Sequence, residues 1–311
     1  MTCTEAIYSE QVLDYIVSSY IREETLLERY QPTCYSRISS GGTIVYREES
    51  RIDSQTINQF GYGAVPHVYG LMGYEALEAA GVMQIRRQPY LDLYGQGVIV
   101  GFVDTGIDFT HEAFLNADGT TRIHSIWDQT IREGEPSQFD YGRVFSESEI
   151  NAALKQEQPS SYLPTRDEIG HGTFLAGVAA GNQMPGREFS GVAPLSQIVV
   201  VKCKEAKTSY REYYRVPSKV PCYQENDIMT GIMYILQVAY SLGRPVAICV
   251  GMGSNLGNHD GASPLCQLID INNMAGACIV ACAGNEGSAG HHYEITKKEE
   301  EIQIDVQKAS L

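Results

Sequence analysis

Several things are missing from this 311-residue chain, and each absence closes off a class of function. No stretch approaches the roughly 20 consecutive apolar residues that a membrane-spanning helix needs. Basic residues are in deficit, 23 against 38 acidic ones, for a formal net charge of −15. That balance argues against a nucleic-acid backbone or an anionic membrane surface as the main partner. The opening residues Met1-Thr2-Cys3-Thr4-Glu5-Ala6 lack the basic and then apolar profile of a secretory leader, so an intracellular protein is expected. Eight cysteines are present but none forms the paired CxxC spacing of a zinc site. Several lie in apolar runs such as Ala277-Cys278-Ile279-Val280-Ala281-Cys282, which predicts reduced, buried thiols.

What is present is the texture of a globular α/β protein: 43% apolar residues and 30 glycines. The most constrained stretch is Gly170-His171-Gly172-Thr173 followed by Phe174-Leu175-Ala176-Gly177-Val178-Ala179-Ala180. It reads as a tight turn feeding a closely packed helix, with an imidazole at the helix start. Residues 98–104 form a continuous β-branched run of the kind buried in a parallel sheet, ending at Asp104. Beyond it, strands at 198–201, 246–250 and 277–283 alternate with helices after His171, at 227–242 and at 264–275. This alternation predicts a doubly wound parallel sheet.

The first seventy or so residues carry a different pattern. Val12, Ile16, Tyr20 and Leu26 recur at near-helical spacing, so a helix is expected over residues 9–30 with Ser9 as its cap. Gly41-Gly42 marks a turn before a strand at 43–46, and together these suggest a small α+β unit. A short helix is expected at 75–80. Residues 204–224 are polar, tyrosine-rich and aperiodic, and read as a surface loop. Residues 299–307 alternate like a strand.

Reactions on open α/β sheets gather at the carboxyl ends of the strands. Asp104, His171 and Asn285, the last in Ala283-Gly284-Asn285, fall at or near such positions. A carboxylate can orient an imidazole, the imidazole can act as general base, and an amide can donate to an oxyanion. On spacing alone, three separate structural roles explain the same residues.

The motifs themselves carry a resemblance. Val103-Asp104-Thr105-Gly106-Ile107, Gly170-His171-Gly172-Thr173, Gly191-Val192-Ala193-Pro194 and Ala283-Gly284-Asn285 resemble, in order, the motifs of subtilisin-like serine proteases. The resemblance covers roughly residues 80–290 and implies a three-layer α/β fold in which Asp104 orients His171 and Asn285 donates to the oxyanion. It also implies that Gly251, Met252 and Gly253 pair with an extended peptide substrate, with glycines permitting close approach. More narrowly, Ile126-Trp127-Asp128-Gln129-Thr130, the 204–224 insertion and His291-His292-Tyr293 resemble the clostridial germination-protease (Csp-type) branch. That likeness implies a propeptide-like domain at 1–74 with processing near Tyr74, a protease portion at 75–290, and the start of a jelly-roll insert at 291–311. It further implies a zymogen in a spore-associated setting.

One departure matters. The family's serine lies in a Gly-Thr-Ser motif downstream of the oxyanion asparagine, and after Asn285 this sequence has only Ser288 and Ser310, neither in that context. The nucleophile is therefore expected on another segment or a second chain that completes the site, leaving residues 1–311 alone inactive. The rival expectation is a pseudoprotease that binds a partner or its own propeptide. No metal is assigned: subtilases often bind calcium, but Asp108, His111 and Glu112 do not form an oxygen-rich loop that compels it. The Gly251-Met252-Gly253-Ser254-Asn255-Leu256-Gly257 run is not a dinucleotide site, because no helix starts directly after it.

Overall fold

A computed structural model describes residues 1–17, 21–38, 42–49, 51–66, 68–71, 93–133, 138–183, 190–257 and 259–284. The expected helix at 75–80, the junction at Tyr74, Asn285, Ser288, the His291-His292 pair and the strand at 299–307 lie outside the described residues.

Six strands make the central sheet: β5 (Ile99–Asp104), β6 (Ile123–Asp128), β7 (Arg143–Ser146), β8 (Gln197–Lys202), β10 (Val246–Val250) and β12 (Ala277–Ala281). Their spatial order is β12-β10-β5-β8-β6-β7. All neighbours are parallel except β6 and β7. The predicted parallel sheet is thus found, with an antiparallel edge contributed by β7. Strand β5 is buried along its whole length, because helices cover both faces of the sheet. On one face Phe102, Val200 and Ile126 pack with Ala176 and Ala180 of α6 (His171–Ala180). On the other, Val103, Val201 and Trp127 pack with Ile228, Met229, Ile232 and Ile235 of α8 (Glu225–Leu242). Two shorter helices, α4 (Glu147–Leu154) and α5 (Pro159–Tyr162), precede α6, and the arrangement is three layers, helix on sheet on helix.

The amino-terminal unit is α+β as expected, but its elements differ. Helix α1 is Cys3–Tyr8, capped by Thr2 in a reciprocal capping box with Glu5. It is followed by β1 (Val12–Val17), α2 (Glu23–Tyr30), β2 (Cys34–Ile38), β3 (Gly42–Glu48) and α3 (Ser54–Phe60). The single helix expected over 9–30 is therefore wrong: Val12 and Ile16 lie in a strand, and Ser9 ends α1 instead of starting a helix. The reason is burial on both faces. In β1, Val12 and Ile16 enter the core shared with the large sheet, while Leu13, Tyr15 and Val17 enter a separate core with Leu26, Tyr30 and Phe60. A strand covered on both sides loses the apolar–polar alternation that would reveal it.

Two further expectations are corrected. Cys3 and Cys34 are joined in a disulfide between α1 and β2, and Cys266 and Cys278 are exposed, so the thiols are not uniformly reduced and buried. Residues 204–224 are not a surface loop. They contain α7 (Thr208–Tyr213) and β9 (Tyr223–Gln224), and bury Lys204, Lys207, Tyr210, Cys222 and Tyr223. Their polar character reflects partners across the interface. Lys207 Nζ reaches Asp14 Oδ1 on β1 at 2.5 Å and the Val12 carbonyl at 3.0 Å. Gln224 Nε2 donates to Asp14 Oδ2 at 3.1 Å, and Tyr210 closes onto the Asp14 backbone. Behind them Lys204 pairs with Asp227 of α8 at 2.7 Å. This buried polar network joins the amino-terminal unit to the part of the chain that carries the large sheet.

A last strand, β4 (Val68–Leu71), lies in a small three-stranded sheet between β9 and β11 (Met252–Gly253). Both pairings are antiparallel, with Leu71 opposite Met252 and Val68 opposite Gln224.

Candidate active site

Asp104 ends β5 and is wholly buried, flanked by β10 and β8. His171 opens α6. The two meet at 2.8 Å, Asp104 Oδ1 to His171 Nδ1, with side-chain exposures of 1% and 15%. A buried carboxylate at this distance selects the tautomer carrying hydrogen on Nδ1, which gives Nε2 the lone pair of a general base. The Thr105 amide donates to the same Oδ1 at 2.7 Å and fixes the carboxylate plane.

Close approach of three chain segments makes this possible. Gly251 follows β10, and a Cβ there would lie 2.2 Å from Asp104 Oδ2 and 3.3 Å from His171 Cε1. Only glycine fits against the pair. A Cβ at Gly172 would lie 2.3 Å from the Gly106 carbonyl, so this glycine lets α6 start directly on the loop after β5.

The turn that aims His171 is held by a residue not singled out from the sequence, Asp167. Its Oδ1 accepts from the Thr105 hydroxyl at 2.7 Å and the Gly170 amide at 2.8 Å. Its Oδ2 accepts from the Thr173 amide at 2.8 Å and the Thr173 hydroxyl at 2.7 Å. Burial alone would raise the pKa of this carboxyl, but the bonds from Thr173, Thr105 and Gly170 outweigh it and hold the value below the ordinary one. Thr105 in turn accepts from the Gly172 amide at 2.9 Å. Asp167 therefore ties the loop after β5 to the first turn of α6. The signal available in the sequence was an acidic residue four positions before His171, beside a threonine two positions after it.

Asp128 serves as an anchor at the same end of the sheet, binding the Thr130 amide at 2.9 Å and the Thr165 hydroxyl at 2.7 Å. Asp108 and His111 spend their acceptors on local turns, to Thr110 at 2.6 Å and to the Ala113 amide at 3.1 Å. Among the described residues no group of three or more His, Cys, Asp or Glu side chains is placed to hold a metal ion. Gly251 lies against the Asp104–His171 pair, and Met252 and Gly253 form β11 beside β4. The Met252 side chain points into the core and is 2% exposed, so it is the backbone of this segment that faces a neighbouring strand.

Comparison with known proteins gives the family. Residues 95–304, more than half of the chain, match the Subtilase family. The chain is a subtilase. It resembles the solved structure of the Clostridium perfringens CspB protease, with 31% identity and a TM-score of 0.58 over 70% of this chain and 42% of that one. Subtilisin-like protease SBT2.2 of Arabidopsis thaliana is 34% identical over 127 residues, 35% of this subtilase and 15% of the plant protein. SBT2.4 from the same plant is 33% identical over 128 residues, again 35% and 15%. This subtilase thus spans less than half the length of each relative. Its Asp104 and His171 motifs are the ones the resemblance rested on, and the structure brings their side chains together. No helix among the described residues is long and apolar enough to cross a membrane.

Proposed function

We propose that this subtilase is the base-bearing part of a serine endopeptidase that hydrolyses peptide bonds in protein substrates. The observation that carries the proposal is the 2.8 Å contact between buried Asp104 and His171 at the strand ends. His171 Nε2 would take the proton of the nucleophilic serine during attack and return it to the leaving amine. Asn285 would donate to the developing oxyanion. The serine comes from a segment or second chain carrying the family's Gly-Thr-Ser motif, and residues 1–311 alone are idle.

The position of β4 supports a peptide substrate. An extended stretch of this same chain lies antiparallel to Met252–Gly253, as a bound peptide adds to a sheet edge. It also supports reading residues 1–74 as a propeptide that keeps the enzyme a zymogen, with processing near Tyr74. From the Csp-type likeness we extend the proposal to a spore-associated protein serving germination. Immunoblots of purified spores against vegetative cells test that part, and absence from spores removes it.

The activity is tested with a fluorophosphonate probe on the complete protein, serine segment included. Labelling is expected, with a fall of about 100-fold or more in His171→Ala, the scale of a lost general base. A folded, complete protein that takes no label, or a His171→Ala variant that labels normally, would refute the proposal.

A further inference from the structure

The segment that leads into His171 has almost no core of its own. After buried Thr165, residues Arg166, Glu168, Ile169 and Gly170 are exposed, and only Asp167 among them is half-buried. Apolar packing therefore does not fix the path of this loop, and its polar contacts must do so. Asp167 makes one set of these, to Thr105 on the loop after β5 and to the first turn of α6. A second set comes from Lys202, a buried cation that the mechanism above does not use.

Lys202 is the last residue of β8, in register with Asp104 at the end of β5 and with Asp128 at the end of β6. Its ammonium donates to the Arg166 carbonyl at 2.6 Å and to Glu168 Oε2 at 2.7 Å. Asp128 Oδ2 lies 3.9 Å from the same ammonium and accepts from the Thr165 hydroxyl at 2.7 Å. The stem of Lys202 runs against Gly106, where a Cβ would stand 3.2 Å from Lys202 Cδ and 3.4 Å from the Arg166 carbonyl oxygen. Both neighbours of Asp167 are thus fastened to the end of β8. The two bonds are unequal. Glu168 keeps 62% of its side chain exposed, so its ion pair with Lys202 is a surface pair that contributes little. The Arg166 carbonyl belongs to the main chain and takes a charge-assisted bond from a buried donor, which is the stronger kind.

We propose that Lys202 is a positioning residue for His171: through the Arg166 carbonyl it pins the loop from which Asp167 holds the imidazole against Asp104. Without the ammonium the Arg166 carbonyl loses this donor, and the loop can lift from β8. The bonds from Asp167 then no longer keep the start of α6 at one distance from Asp104. The effect on peptide hydrolysis rests on the proteolytic reading; the placement of the imidazole does not.

The test follows the Nδ1 proton of His171 by NMR in the complete protein, labelled with nitrogen-15 histidine and held well below its unfolding temperature. The signal is assigned by its loss in His171→Ala. A proton held between Nδ1 and a buried carboxylate should give a far-downfield, slowly exchanging resonance in the wild type. Lys202→Met keeps the stem and removes the donors. Its resonance should broaden or vanish, and fluorophosphonate labelling should fall about 10- to 100-fold, the scale of a small misplacement of a reacting group. Lys202→Arg restores a charged donor and should recover both. If Lys202→Met does not fold, Lys202→Gln takes its place with the same expectation, since its amide is one bond too short for the Arg166 carbonyl. Cys3→Ala/Cys34→Ala, destabilised away from the strand ends, should keep the resonance. A folded Lys202→Met with the wild-type resonance overturns the proposal. So does a resonance that is absent from the wild type, that Lys202→Arg does not recover, or that the cysteine variant also loses. A complete protein that shows the resonance but never takes the fluorophosphonate refutes the proteolytic reading, and the resonance of Lys202→Met still decides the role of Lys202.

Discussion

Replacing Asp14 by Asn should unfasten the amino-terminal unit from the part of the chain that carries the large sheet. Asp14 is fully buried and Lys207 has only 4% of its side chain exposed. In the wild type the ammonium has Asp14 Oδ1 at 2.5 Å, with the Val12 and Ala6 carbonyls at 3.0 and 3.4 Å as neutral acceptors. Burial pushes the Lys207 pKa down, and Asp14 is the main group opposing that fall. Removing one partner of such a pair strands the other charge, which costs about 3–5 kcal/mol, or roughly 150- to 5,000-fold in the folding equilibrium. For a large domain, at about 2–4 °C per kcal/mol, this is a drop in Tm of roughly 6–20 °C. The cost has a pH signature. In Asp14→Asn the folded-state pKa of Lys207 falls further below that of the unfolded chain, about 10.4. Between those two values the unfolded state holds more protons, so stability rises with pH and the deficit should narrow towards pH 10. The cycle is completed with Lys207→Met and an Asp14→Leu/Lys207→Met double variant, followed by thermal and urea denaturation. The double variant should cost several kcal/mol less than the sum of its parts. An Asp14→Asn variant within about 0.5 kcal/mol of wild type, or strict additivity, refutes the argument.

Other outcomes follow from single contacts. Asp167 has a lowered folded-state pKa, so its contribution is present above the unfolded value near 4 and is lost as pH falls through the lowered one. Asp167→Asn should therefore show a flatter loss of Tm between pH 5 and 3 than wild type; an equal slope refutes it. Gly251→Ala forces a methyl to within 2.2 Å of Asp104 Oδ2 and should cost about 1–3 kcal/mol while suppressing fluorophosphonate labelling; a stable, fully labelled variant is the contrary result. Opening the Cys3–Cys34 disulfide, whose ends are 31 residues apart, should lower stability by about 4 kcal/mol in the chain-entropy treatment, read as a urea midpoint shift for Cys3→Ala/Cys34→Ala.

The parts of the molecule legible in the sequence were those where one physical requirement dominates. The run 98–104 is apolar on both faces because it is central, and it became β5 with Asp104 at its end. His171 between glycines became the first residue of α6 because the chain must pass within contact of Gly106. The same double burial misled at Val12–Val17, where a fully buried short strand offers no alternation to distinguish it from a helix. Residues 204–224 were misread for another reason. Lys204, Lys207, Tyr210 and Gln224 look solvated in isolation, and only their partners Asp14 and Asp227, far away in sequence, make them interior residues. Asp167 escapes a sequence reading because it acts by accepting hydrogen bonds from a turn and from the Thr105 loop, and neither has a periodicity to read.

The strand β4 turns the groove beside Gly253 into a question of competition. It is held by β9 on one edge and β11 on the other, and it is covalently part of the chain it occupies. A tethered segment presents itself at an effective concentration of order millimolar. A free peptide at micromolar concentration must therefore bind about a thousandfold more tightly than the resident strand to fill the groove half of the time. On the proposed reading of residues 1–74 as a propeptide, cutting the tether would let the segment leave only as fast as the Asp14–Lys207 network allows its unit to leave. The time the site would take to open to a peptide would then be set by a dissociation rate, governed by a residue in β1, far along the chain from His171.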